Sequence, residues 1–177
     1  MTKLTKISRY GEVFAKILMI LLAIAMIVMV IMLVAVAFNT EILTEALEEV
    51  GTTFDIPAED LNVMAIATML TVCVLVVGAL GIAILYFVNR MFENICKNNT
   101  PFTKDNARYL VVIATLIIVC TIAVPILDFG LQRVLDTAYY PSYGFGLMPL
   151  FVAFLLYFLS LVFKHGAELQ KESDETL

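Results

Sequence analysis

Four stretches of this chain, 17–38, 63–88, 109–127 and 145–163, contain no Lys, Arg, Asp, Glu or His. An α-helix needs roughly 20 apolar residues to cross the hydrocarbon core of a bilayer. Each stretch meets that length or comes within a residue of it. With only 15% charged residues in the chain, there is too little polar surface to enclose four such runs in a soluble domain. The mean hydropathy of +0.96 agrees. Lipid offers no partner to a backbone N–H or C=O, so each run must satisfy its own backbone as a helix. The expected fold is all-α: a four-helix antiparallel transmembrane bundle forming a single membrane domain over residues 1–177, with a cytoplasmic helical tail at 164–177.

The first run is preceded by basic residues and ends near Ala35–Val36–Ala37, which has the character of a secretory cleavage site. Its apolar stretch exceeds the roughly 7–15 residues of a secretory core, so retention as a span is expected.

The basic residues orient the spans. Of eleven Lys and Arg, ten fall on one set of alternate segments: four before the first run, four between the second and third, two after the fourth. Only Arg133 falls on the other set, together with nine acidic residues against seven on the basic side. Translocation of Lys and Arg in short loops is disfavoured, so both termini are expected in the cytoplasm. Nothing here calls for nucleic acid as a direct ligand.

The first outer loop, "NTEILTEALEEVG", sets Ile42, Leu43, Ala46, Leu47 and Val50 at helical spacing, with Glu41, Glu45, Glu48 and Glu49 opposite. This predicts a short amphipathic outer helix, capped by Asn39 or Thr40 and closed by Gly51. A divalent-cation site on Glu41, Glu45 and Glu48 is one reading; a solvated acidic face is the one the spacing favours. Tyr139, Tyr140 and Tyr143 just before the fourth run are expected as interfacial anchors, a ligand pocket being the alternative.

The inner loop, "NRMFENICKNNTPFTKDNARY", places Thr103 to cap the third helix, with Asp105 in its first turn. Phe92, Ile95 and Phe102 are expected to fold back on the helix ends or to meet a partner. In the tail, Lys164 and Glu168, and Lys171 and Glu175, are spaced i, i+4, which extends the fourth helix. Gly166 weakens it by about 1 kcal/mol relative to alanine.

Catalytic chemistry is not evident. The runs hold only weakly polar groups, among them Thr71, Thr115, Thr121 and Ser160, the usual hydrogen-bonders of helix packing. Pro125 marks a helix end or a mild kink. Cys73, Cys96 and Cys120 form no CxxC pair, and His165 is the one histidine. No catalytic residue, cofactor or metal site is expected, and the chain reads as a non-enzyme. Gly78, Ala79, Gly81 and Ala83 form a small-residue patch suited to internal helix packing, or secondarily to a homodimer.

Two stretches carry a resemblance. "MFENICKNNTPFTKDNARYL" and "FKHGAELQKESDETL" resemble the inner loop and the closing segment of the bacterial membrane family filed as domain of unknown function 2975. Many members carry a glycine before the Pro–Phe pair, where this chain reads Asn99–Thr100. The family has no established activity. The resemblance implies a bacterial inner-membrane protein, often encoded beside a small helix-turn-helix regulator. On that implication the chain is a binding or sensing module for such a regulator. The contact surface is then expected at Phe92, Lys97, Pro101, Phe102 and Asn106 of the loop and Leu169, Gln170, Glu172, Asp174 and Glu175 of the tail. The competing function is a small permease-like or immunity and export accessory protein, with a water path past Thr71, Thr115 or Thr121.

Overall fold

The computed structural model describes residues 3–39, 63–135 and 146–175. They form four α-helices: α1 (Lys3–Phe38), α2 (Val63–Asn98), α3 (Lys104–Leu135) and α4 (Leu147–Glu175). No strand occurs among the described residues, so the all-α expectation holds. All four are long and apolar enough to cross a membrane, which makes the chain a multi-pass membrane protein. The amphipathic segment at 40–51 and Tyr139, Tyr140 and Tyr143 lie outside the described residues.

The helices overrun the apolar stretches, mainly at their basic ends. Helix α1 starts fourteen residues earlier than its apolar stretch, where Glu12 and Lys16 pair at i, i+4 and Ser8 and Ala15 are buried. Helix α2 continues to Asn98 with Glu93 held between Arg90 and Lys97. At about 1.5 Å per residue, each 36-residue helix is about 54 Å long, well beyond a hydrocarbon core of about 30 Å. Pro125 ends nothing: α3 runs through it for ten more residues. Losing one N–H to proline is tolerated in a membrane helix when the neighbouring turns stay satisfied.

The chain divides into two compact units. One gathers Met1–Leu22, Leu80–Thr121 and Gly146–Leu177; the other gathers Ala23–Ala79 and Ile122–Phe145. In the first unit α1 runs antiparallel to α2, with the Cys96 thiol 3.7 Å from the Thr5 carbonyl, Phe92 over Gly11 and Leu22 against Gly81. Helix α3 returns along α2, with the Phe87 and Tyr109 rings 6.0 Å apart. In the second unit Gly78 meets Met26, and Ile66, Met69 and Val36 are fully enclosed. Gly78 and Gly81 are thus spent on packing α2 against α1, the internal use expected of the small-residue patch.

The connection from α2 to α3 is built by two caps. Asn99 takes φ 55°, and its N–H returns to the Ile95 carbonyl at 2.9 Å, closing α2 with a left-handed residue. Glycine takes that conformation without penalty and asparagine with little, which suits Asn99 to the position. Four residues on, the Thr103 hydroxyl accepts the Asn106 N–H at 3.1 Å and caps α3 as expected.

Candidate site at the basic end of the helices

Between those caps lies a polar knot. Asn106 is fully buried; its Nδ2 donates to the Pro101 carbonyl at 2.9 Å and its Oδ1 accepts from Asn94 Nδ2 at 2.9 Å. Asn94 Nδ2 also reaches the Thr103 hydroxyl at 2.8 Å. One helix, one loop carbonyl and one cap are locked together. Buried amides must be satisfied, and this arrangement satisfies them only in one loop geometry.

Two aromatic rings, Phe92 from α2 and Phe102 from the loop, close on two glycines. A Cβ on Gly11 would stand 2.7 Å from Phe92 Cζ, and one on Gly166 would stand 2.7 Å from Phe102 Cδ1. Real Cβ atoms do not approach that closely, so both glycines are sockets for rings. Phe102 also meets the Phe163 ring edge-on, centroids 5.4 Å apart. One turn further, the Thr100 hydroxyl donates to Gln170 Oε1 at 3.1 Å. The loop thereby clamps the polar extension of α4. Gly166, a weak point when read as sequence, is where the clamp closes.

The ten expected contact residues divide into two groups. Phe92, Pro101, Phe102 and Asn106 are engaged within the chain, Asn106 completely. Leu169, Glu172 and Glu175 are exposed on the α4 extension, and Gln170 is exposed while holding Thr100. The side chain of Asp174 lies outside the described residues. Lys97 is exposed and bonded to Glu93 at 2.6 Å.

That bond has a titration signature. Lys97 first, and Arg90 less, hold the Glu93 carboxyl below the usual carboxylate range. A lowered folded pKa means the contribution is present above the ordinary carboxylate pKa and is lost as pH falls through the lowered value. Replacing Lys97 with glutamine should therefore move the Glu93 midpoint up, followed by carboxyl-carbon NMR. An unmoved midpoint would exclude Lys97 as the main cause.

Two features had no counterpart in the sequence reading. Asn94 carried no motif of its own; only its place beside buried Ile95 marked it as inward-facing. Asp128 directly follows the third apolar stretch, where the sequence predicts an outer loop. It is instead 3% exposed within α3, with Gln132 Nε2 donating to Oδ2 at 3.1 Å and no partner at Oδ1 among the described residues. The i, i+4 spacing of Asp128 and Gln132 was the available signal that the helix continues. The threonines named for a water path are turned to their own helices: Thr71, Thr115 and Thr121 donate to the carbonyls four residues back at 2.8, 2.9 and 2.8 Å.

No curated protein and no solved structure gave a match to the chain. Residues 51–177 match the family described as protein of unknown function (DUF2975), spanning α2, α3, α4 and the clamped loop. The chain belongs to that family.

Proposed function

We propose that the chain is a membrane-anchored binding module that holds a small cytoplasmic helix-turn-helix regulator at its basic end. It sits in a bacterial inner membrane with both termini inside and performs no catalysis of its own. The observation that carries this reading is the docked extension of α4. Helix α4 continues past its apolar run to Glu175, held by Phe102 and Thr100, and leaves Leu169 53% exposed among Glu168, Glu172 and Glu175. A helix fixed this firmly with an outward leucine and three carboxylates offers an apolar anchor in an acidic rim. A basic DNA-binding protein complements it.

The test is co-purification with a small helix-turn-helix regulator of the kind the family resemblance implies. Full-length protein should retain it, and protein ending at Lys164 should not. A full-length variant carrying Leu169→Ser and Glu172→Gln should lose most of the regulator while keeping its helix content. Equal recovery from all three would remove the tail from the function.

One observation favours the permease-like alternative. A buried carboxylate with an unmatched oxygen inside a membrane helix is costly and commonly marks a solute or proton path. Asp128 is such a group. The inward-bonded threonines supply no further polar lining, so the binding module is the better-supported reading.

A further inference from the structure

A groove of about 430 Å³ lies between α3 and α4 in the first unit. The helices are antiparallel there, so its lining is sorted by depth. Lys104 and Lys164 stand at one end, Arg108 one turn in, and Val111, Leu161 and Tyr157 further along. The floor is closed by buried Ala107 and Ser160, and the Ser160 hydroxyl is spent on the Tyr157 carbonyl at 2.6 Å. Among the described residues, none of the three cations is paired with a carboxylate, whereas Lys16, Arg90, Lys97 and Lys171 each are. Lys104 is also the first residue of α3, where the unpaired N–H groups of the first turn favour an anion. The deeper half is apolar and open: Val111, Leu161 and Tyr157 are 36%, 50% and 51% exposed.

Three unmatched cations at the polar end and an open apolar trough below them have the chemistry of one ligand class. We propose that this groove binds an anionic phospholipid. Its phosphate lies among Lys104, Arg108 and Lys164, and an acyl chain lies along Val111, Leu161 and Tyr157. A guanidinium forks two phosphate oxygens while the lysines add point charge, the division of labour seen in basic pockets between membrane helices. A free phosphate would use only the upper half and leave the trough unfilled, so the lipid is the occupant the geometry favours. The assignment does not depend on the regulator reading.

Native mass spectrometry of the full-length protein in detergent tests it, titrating phosphatidylglycerol, phosphatidylcholine and inorganic phosphate separately. Phosphatidylglycerol should bind at least tenfold more tightly than phosphatidylcholine, and phosphate alone should bind negligibly. Removing each cation should weaken phosphatidylglycerol by about fivefold, so a Lys104→Gln, Arg108→Gln, Lys164→Gln variant should approach the phosphatidylcholine level. A Lys104→Arg, Lys164→Arg variant keeps the charge and should keep the preference, which separates lost charge from lost fold. A Lys97→Gln, Lys171→Gln variant, outside the groove, should also keep it. Equal loss in that control would reduce the effect to general surface charge and overturn the site. Phosphate binding as tight as the lipid would overturn the lipid assignment, and so would equal affinity for the two lipids.

Discussion

Replacing Asn106 with leucine should destabilise the protein by about 1–3 kcal/mol, because a fully buried amide loses two side-chain hydrogen bonds at about 0.5–1.5 kcal/mol each. Leucine repeats the branched shape with bulkier methyl groups, so the fully buried site is tightened rather than left with a cavity. What is lost is chemical. The Pro101 carbonyl loses the Asn106 amide and keeps the Thr103 N–H at 3.0 Å, and Asn94 loses one of two acceptors. Asn94 keeps Thr103, which is why the cost stays below that of a fully broken network. The measurement is the midpoint of thermal or detergent unfolding of the purified protein. Combining Asn106→Leu with Asn94→Ala should cost clearly less than the two changes added, since both remove the same bond. A shift under about 0.5 kcal/mol for the single change, the scale of ordinary surface substitutions, would mean the knot does not hold the loop.

The second large effect is expected at Gly166, and it depends on the size of the substituent. Alanine gains about 1 kcal/mol of helix preference over glycine, while forcing a methyl into a filled space costs about 1–3 kcal/mol. These oppose each other, so Gly166→Ala should change stability little. Valine adds further bulk against the Phe102 ring, which has Phe163 edge-on to it. Gly166→Val should cost about 2–3 kcal/mol and release the clamp. Amide exchange across residues 167–175 should then accelerate while that of the α2 core does not. Shrinking the ring with Phe102→Ala in the valine background should recover part of the loss. If valine is tolerated as well as alanine, ring and glycine are not in contact as described.

The number and nature of the helices were legible because uncharged apolar runs of this length have no other stable form in lipid. The threonine cap was legible too, since Thr103 precedes an acidic first turn. Helix ends were less so. Residues before Ile17 alternate polar and apolar character, and their helicity depends on packing such as Phe92 over Gly11, a contact separated by about eighty positions. Asp128 is the first charge after the third apolar stretch and so reads as a loop residue; its enclosure is decided by neighbours on other helices. Of the expected contact surface, Phe92 and Phe102 were recognised as misfits among polar residues. Their rings are seated on Gly11 and Gly166, glycines that in sequence signal only weakness.

The extension of α4 also sets a distance. From Lys164 to Glu175 the helix climbs about 16 Å at its regular rise, so whatever reads the last carboxylates is kept that far from the first charged residue beyond the apolar run. With the Phe102 ring acting as fulcrum beside Gly166, a 10° tilt at the fulcrum displaces the tip by about 2 Å. A displacement of that size is enough to make or break a hydrogen bond at Glu175.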